Sequence, residues 1–133
     1  MRAFICVDDD LGRLFGSRRQ SRDGTLCADM IKIVGDGLLY IEKYSEPLFS
    51  DFAEKVCVCA EPPKDDSYFF FEKTDPEIYG RFVSEWTVYR WNRLYPSDEK
   101  FWEELLTGFR LAATEELVGS SHKKITKEVY VRE

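Results

Sequence analysis

Two short basic segments contain the side chains of this sequence that are best suited to chemistry. Leu11–Arg22 carries four arginines and no acidic residue, and Gly119–Lys127 carries three lysines and the only histidine. The whole chain has a net charge of −6, so both segments stand out from an acidic remainder. Positive charge in two compact places favours a small anionic ligand. DNA binding requires a broad basic surface, and RNA binding is not favoured for the same reason.

The first basic segment leads into a predicted helix, and a helix N-terminus has free backbone N–H groups that favour an anion. The candidate ligand-binding residues here combine guanidinium, amide, hydroxyl and carboxylate groups: Arg18, Arg19, Gln20, Ser21 and Asp23. The guanidinium groups would clamp the anion, the neutral groups would hydrogen-bond it, and the carboxylate would orient a cationic or amide edge. In the alternative, Asp8, Asp9 and Asp10 neutralise the arginines in ordinary ion pairs.

The second basic segment supplies a candidate proton carrier. Histidine transfers protons near neutral pH, so His122 is a candidate catalytic residue. Asp23 is the second candidate. Ser121, His122 and Lys123 are predicted to bind the ligand together with the first segment. In the alternative, this segment is only a polar loop between two strands.

Three functions of different classes are open from these residues. The leading prediction is a protein that binds a small anionic or nucleotide-like ligand at the loop before the first helix. The enzyme alternative is a metal-independent phosphodiesterase or ribonuclease that uses His122 with Arg18 or Arg19, and the third is a protein-interaction module for an acidic partner. One histidine and four cysteines do not have the spacing of a tetrahedral site, so we expect no metal. No nucleophile-elbow motif supports a Ser–His–acid triad.

The length and composition predict one domain, residues 1–133, with a substantial core. No apolar run is long enough to span a membrane, and the start MRAFICVDDD does not have the pattern of a signal peptide. We therefore expect a cytoplasmic protein with free thiols and no membrane partner.

The order of the predicted elements indicates an α/β fold. Apolar runs predict strands over Arg2–Val7, Leu38–Glu42, Lys55–Glu61, Tyr68–Lys73 and Glu85–Trp91, and a final pair over Phe109–Glu116 and Lys124–Arg132. Capping and periodicity predict helices over Asp23–Gly35, Ser45–Ala53, Asp75–Phe82 and Ser97–Gly108. This order predicts a mixed, largely parallel central sheet with helices on its faces and a C-terminal antiparallel strand pair.

The two basic segments resemble those of a small, poorly characterised bacterial protein family with the patterns LF-x-x-RRQS-x-D and SSH-x-KITKE. They stand here as Leu14–Asp23 and Ser120–Glu128. Members of that family are sometimes labelled ribonuclease Z. The zinc-dependent enzyme of that name uses a histidine-rich metal motif, which one histidine does not provide.

The sequence also resembles dihydrofolate reductase. CVDDDLG (Cys6–Gly12) is similar to that family's first strand and following loop, and the closing segments are similar to its last strands. Asp23 falls near the position of the family's acidic pterin-binding residue, so the resemblance implies that fold with Asp23 as a pocket carboxylate. The family's Gly-Arg-x-Thr and Gly-Gly dinucleotide segments have no match here, so the resemblance does not extend to NADPH binding or hydride transfer.

Overall fold

A computed structural model describes residues 1–133 and has a seven-stranded mixed sheet at its centre. The strands of this sheet are β1 (Arg2–Val7), β4 (Leu39–Ile41), β5 (Val56–Val58), β6 (Tyr68–Phe70), β7 (Glu85–Arg90), β9 (Phe109–Leu117) and β10 (Ile125–Arg132). Their order is β5-β4-β6-β1-β7-β10-β9. Neighbours from β5 to β7 are parallel, whereas β10 is antiparallel to both β7 and β9. The predicted fold class, with its C-terminal antiparallel pair, is confirmed.

Strand β1 lies in the middle of the sheet because its residues are apolar on both faces. Phe4 belongs to the core cluster that includes Met30, on the face covered by helix α1 (Gly24–Val34). Ile5 belongs to a second cluster, which includes Trp86, on the opposite face. Successive side chains of a strand point to opposite faces, so one apolar strand supplies two cores.

Helix α1 has the bounds and caps that its sequence predicts. The Asp23 carboxylate accepts from the backbone N–H groups of Thr25 and Leu26, and Gly35 ends the helix with a φ of 66°. A positive φ of this size suits glycine at the residue after a helix. The helix therefore begins beside the end of the basic segment Leu11–Arg22.

The loop that the sequence predicts before the first helix is partly a β-hairpin, an element that was not predicted. Strands β2 (Gly12–Phe15) and β3 (Arg18–Arg19) pair in antiparallel fashion around a turn at Gly16 and Ser17. Both turn residues have positive φ, 57° and 59°, which is the requirement of a two-residue type I′ turn. Serine is unusual at the second turn position, so the sequence signal was weak.

The helix predicted over Ser97–Gly108 is wrong. Glu99–Lys100 forms a short strand, β8, which pairs with β2 in a separate three-stranded sheet, and Glu103–Leu106 forms a single 3₁₀ turn. Phe101, between them, is buried and its ring meets Trp86 edge-on at 5.1 Å. Burial of this ring and the strand pairing outweigh the local helical periodicity.

The two remaining predicted helices are not continuous α-helices. Lys43–Lys55 is a 3₁₀ helix interrupted by non-helical backbone at Phe49 and Phe52. Pro76–Tyr79 forms helix α2, which continues into a 3₁₀ turn over Gly80–Phe82. None of the helices has the length and apolar character needed to cross a membrane. The four cysteines are free thiols.

Candidate functional site

The two basic segments that stand far apart in the sequence lie side by side in the fold. The loop between β9 and β10 folds over the N-terminus of α1 and the end of the β2–β3 hairpin. Ser120 Oγ accepts a hydrogen bond from Gly24 N–H at 2.9 Å, and Ser121 Oγ donates to the Arg22 carbonyl at 2.8 Å. This junction contains four of the eight candidate residues, Ser21, Asp23, Ser121 and His122.

Asp23 is the centre of the junction. Its side chain is fully buried, and seven donor groups lie within hydrogen-bond distance of its two oxygens. One of these donors, the Ser121 hydroxyl, shares its single hydrogen between Asp23 and the Arg22 carbonyl. Two come from the first turn of α1, four from the backbone and hydroxyl groups of Ser120 and Ser121, and one from His122 Nδ1 at 3.1 Å. Both carboxylate oxygens are therefore occupied by the protein itself.

These hydrogen bonds keep Asp23 ionised. Burial acts to raise the pKa of the carboxyl, but hydrogen bonds from the N–H groups of Ser120 and Ser121 and from His122 outweigh burial and hold the pKa far below its ordinary value. The resemblance to dihydrofolate reductase implied that Asp23 orients the polar edge of a ligand. The structure keeps Asp23 at the start of the first helix, but directs its carboxylate to His122 and the neighbouring serines instead.

His122 is held from several sides. It is buried, 9% exposed, and its ring stacks on Trp91 with centroids 4.6 Å apart. Because the ionised Asp23 can only accept, Nδ1 carries the hydrogen of the neutral ring and Nε2 is an acceptor. Nε2 lies 2.8 Å from Tyr95 Oη and 3.2 Å from Ser21 Oγ, so two hydroxyl groups compete for its single lone pair.

A cavity of about 730 Å³, here called the basic groove, opens beside this junction. It is lined by residues of four segments, among them Arg18, Ser21, Arg22, Tyr44, Lys73 and Ser121. Arg18, Arg22 and Lys73 are exposed, and none of them lies within ion-pair distance of a carboxylate. The groove therefore contains three positive charges that the protein does not neutralise.

Arg19 differs from its neighbour Arg18. Its guanidinium forms a two-point ion pair with Glu72, at 2.8 and 2.9 Å, and lies over the ring of Tyr44 at 4.2 Å. The pKa of Arg19 is raised: burial acts against its charge, but the hydrogen bonds and charge of Glu72 prevail. Arg19 is therefore a structural part of the groove wall, with its charge neutralised inside the protein.

The aspartates after β1 form no ion pair with the arginines of the first basic segment, contrary to the alternative interpretation. Asp8 is buried and accepts from the backbone of Gly12 and Tyr95 and from the Gln20 amide. Asp10 pairs with Lys100. Gln20 thus links the hairpin to the end of β1. The arginines of this segment that form ion pairs use other carboxylates: Arg19 pairs with Glu72, and Arg13 lies 3.9 Å from Glu99.

Lys123 lies apart from the basic groove. It lines another cavity of about 620 Å³ with Lys124, Arg93 and the outer side of His122. Lys73 and Glu72 were not predicted as site residues, because neither lies in a local motif. No three His, Cys, Asp or Glu side chains are arranged to hold a metal ion.

Comparison with known proteins supports the fold alone. No protein-family model matches this chain, and no curated protein matches it in sequence. Its fold is similar to that of dihydrofolate reductase from Enterococcus faecalis, solved in complex with NADP(H) and RAB-propyl, with a TM-score of 0.65 and 8% sequence identity. The match covers 98% of this chain and 95% of that chain. The expected dihydrofolate reductase-like fold is confirmed, and the resemblance to the small bacterial family stays a prediction.

Proposed function

We propose that this protein binds a small anionic, nucleotide-like ligand in the basic groove. The observation that carries the proposal is the presence of Arg18, Arg22 and Lys73 around one cavity without internal counterions. Three exposed cations held close together repel one another, and an anion bound among them removes that repulsion. A phosphate group, with several acceptor oxygens, matches the planar donor forks of arginine.

The groove also contains neutral hydrogen-bond donors, and its wall at Tyr44 is held by contacts with charged side chains. Ser21 and Ser121 line the groove and offer hydroxyl groups for ligand oxygens. Tyr44 is fixed between Arg19 and Lys73, whose charged groups lie 4.2 and 4.4 Å from its ring centroid. The role that remains for Arg19 and Gln20 is to hold this wall through Glu72 and Asp8.

Isothermal titration calorimetry with inorganic phosphate, adenosine monophosphate and adenosine triphosphate tests the proposal. We expect Arg18→Ala and Arg22→Ala each to weaken binding by about tenfold, because each removes one charge-assisted contact in an open groove. Arg110→Ala is the matched control, since Arg110 is exposed on β9 and lies outside the groove. Absence of binding by the unmodified protein would end the proposal. Salt-sensitive capture of one acidic protein by the same arginines would favour the interaction alternative.

A further inference from the structure

We propose that Ser21 is a nucleophile for a small carboxylic ester that carries an anionic group, with His122 as its general base and Asp23 as the residue that positions His122. The inference rests on the proposed function, because the basic groove would hold the anionic group of the ester. It adds a reaction to what was otherwise a binding site.

The geometry is a continuous hydrogen-bonded relay from a buried carboxylate to the groove. Asp23 Oδ2 lies 3.1 Å from His122 Nδ1, and His122 Nε2 lies 3.2 Å from Ser21 Oγ. Exposure rises along the relay: Asp23 is 3% exposed, His122 is 9% exposed, and Ser21 is half-buried and lines the groove. A nucleophile, a base that contacts it and an acid that orients the base are the three parts of an activated hydroxyl.

The hydrogen positions in the relay allow His122 to act as a base toward Ser21. The carboxylate of Asp23 is ionised and receives the Nδ1 hydrogen, so the lone pair of Nε2 faces the hydroxyl groups. Tyr95 shares that lone pair at 2.8 Å in the resting state. Once Nε2 takes the serine proton, the Tyr95 hydroxyl becomes an acceptor for it and stabilises the imidazolium. Tyr95 therefore acts as a positioning residue.

A carbonyl centre fits a site with one imidazole better than a phosphorus centre. In acyl transfer the nucleophile and the leaving oxygen lie on the same tetrahedral carbon, so one histidine serves both as base and as acid. Displacement at phosphorus places the two oxygens roughly in line on opposite sides, where a single imidazole does not reach both. The chain has only one histidine, which favours the ester.

The reaction balances with water as the only co-reactant. The Ser21 Oγ–carbonyl carbon bond forms while the hydroxyl proton passes to His122 Nε2. The bond from the carbonyl carbon to the leaving oxygen then breaks, and that oxygen takes the proton and departs as an alcohol. Water next gives a proton to Nε2 and attacks the acyl-serine. The Oγ–carbon bond breaks, Oγ takes back the proton, and a carboxylic acid is released.

The backbone beside Ser21 offers donors for the oxyanion. The N–H groups of Ser21 and Arg22 have no acceptor within the protein. In α/β-hydrolases the N–H of the residue after the nucleophile contributes to the oxyanion hole. Arg22 also brings its side chain to the same groove, so the developing negative charge would form beside a cation.

Labelling with a fluorophosphonate probe tests the nucleophile without knowledge of the natural substrate. We expect mass spectrometry to find the label on Ser21, and Ser21→Ala and His122→Gln to abolish it. Ser50→Ala, a change at an exposed serine outside the groove, is the matched control. Circular dichroism checks that His122→Gln remains folded, and Ser21→Ala removes only one half-buried hydroxyl. Absence of label on Ser21, or labelling that His122→Gln leaves unchanged, would overturn the proposal.

Hydrolysis of model esters tests the substrate class. We expect the anionic mono-p-nitrophenyl succinate to be cleaved faster than p-nitrophenyl acetate, with a loss of about 100-fold or more in Ser21→Ala. Arg18→Ala should raise KM for the succinate ester alone. If the protein cleaves bis-p-nitrophenyl phosphate but neither carboxylic ester, the proposal of a reaction at a carbonyl carbon is wrong. Phosphate binding without labelling of Ser21 removes only this inference. Labelling without phosphate binding removes the proposed function, and with it the anionic group of the ester, but leaves Ser21 as the nucleophile.

Discussion

Replacement of Asp23 by asparagine should separate the charge of this residue from its shape. Asparagine keeps the volume of the side chain and is a good residue at a helix N-cap. However, it converts one of two acceptor oxygens into an NH₂ group that only donates. One oxygen now accepts from Ser121 and His122, and the other from Ser120 and the first turn of α1. Either orientation of the amide therefore sets an NH₂ group against at least two N–H donors.

The expected cost follows from those lost contacts. A buried donor left without an acceptor costs about 1–3 kcal/mol, and Asp23 is fully buried at its side chain. We expect Asp23→Asn to lower the free energy of unfolding by about 3 kcal/mol at pH 7. Urea unfolding followed by tryptophan fluorescence measures this change, since Trp91 stacks directly on His122.

The stability difference between the unmodified protein and Asp23→Asn should also depend on pH. Hydrogen bonds hold the pKa of Asp23 far below its ordinary value in the folded protein. Its contribution to stability is therefore fully present above the unfolded pKa of about 3.9 and is lost as the pH falls below it. The gap between the unmodified protein and Asp23→Asn should narrow by about 1 kcal/mol between pH 7 and pH 3. Effects of the other carboxyl groups are common to both proteins and cancel in the difference.

A matched variant shows whether the effect belongs to the buried junction. Asp75 also caps a helix, but its carboxylate accepts a single, exposed hydrogen bond from Glu77 N–H. We expect Asp75→Asn to change stability by less than about 0.5 kcal/mol. The reasoning is refuted if Asp23→Asn is as mild as this control, or if its stability gap stays constant from pH 7 to pH 3.

Two further predictions concern the packing around this site. A Cβ atom at Gly119 would lie 2.5 Å from Asp23 Oδ2 and 2.6 Å from the His122 carbonyl oxygen, so Gly119→Ala should lower the free energy of unfolding by about 1–3 kcal/mol in urea titration. Gly24→Ala, whose Cβ meets only Ser120 Oγ at 3.5 Å, is the control, and equal effects of the two variants would contradict the prediction. Burial raises the pKa of the Cys27 thiol to about 12, so iodoacetamide at pH 8 should modify Cys27 in the unfolded protein only, and rapid modification of the native protein, measured by mass spectrometry, would be inconsistent with that burial.

The parts of the fold that the sequence predicted correctly are those with local signals. Strand β1 is apolar along its whole length, and α1 has an aspartate cap, an apolar stripe and a glycine stop within thirteen residues of sequence. Such signals depend on neighbours a few positions away, so tertiary structure has little to change. The final antiparallel pair, β9 with β10, was predictable for the same reason.

The errors fall where distant residues decide the local conformation. Glu99 and Lys100 form a strand because β2 offers its edge, and Phe101 turns inward because Trp86 lies below it. A helical pattern within Ser97–Gly108 contains no information about either partner, because both lie elsewhere in the sequence. The hairpin around Gly16 was hidden because its turn lacks the usual Asn-Gly pair and its second strand has only two residues.

The sequence by itself determined the α/β fold class, the two basic segments, the presence of Ser21 and His122 within them, and the position of Asp23 directly after the first. Only the tertiary structure decided the distances between these residues and which of their charges are paired. Asp23 and His122 are separated by 99 positions, and the fold brings them to 3.1 Å. It also pairs Arg19 with Glu72 while leaving Arg18 uncompensated. Which charges are neutralised depends on distances between segments, and those distances are set by the packing of strands and loops that no local pattern records.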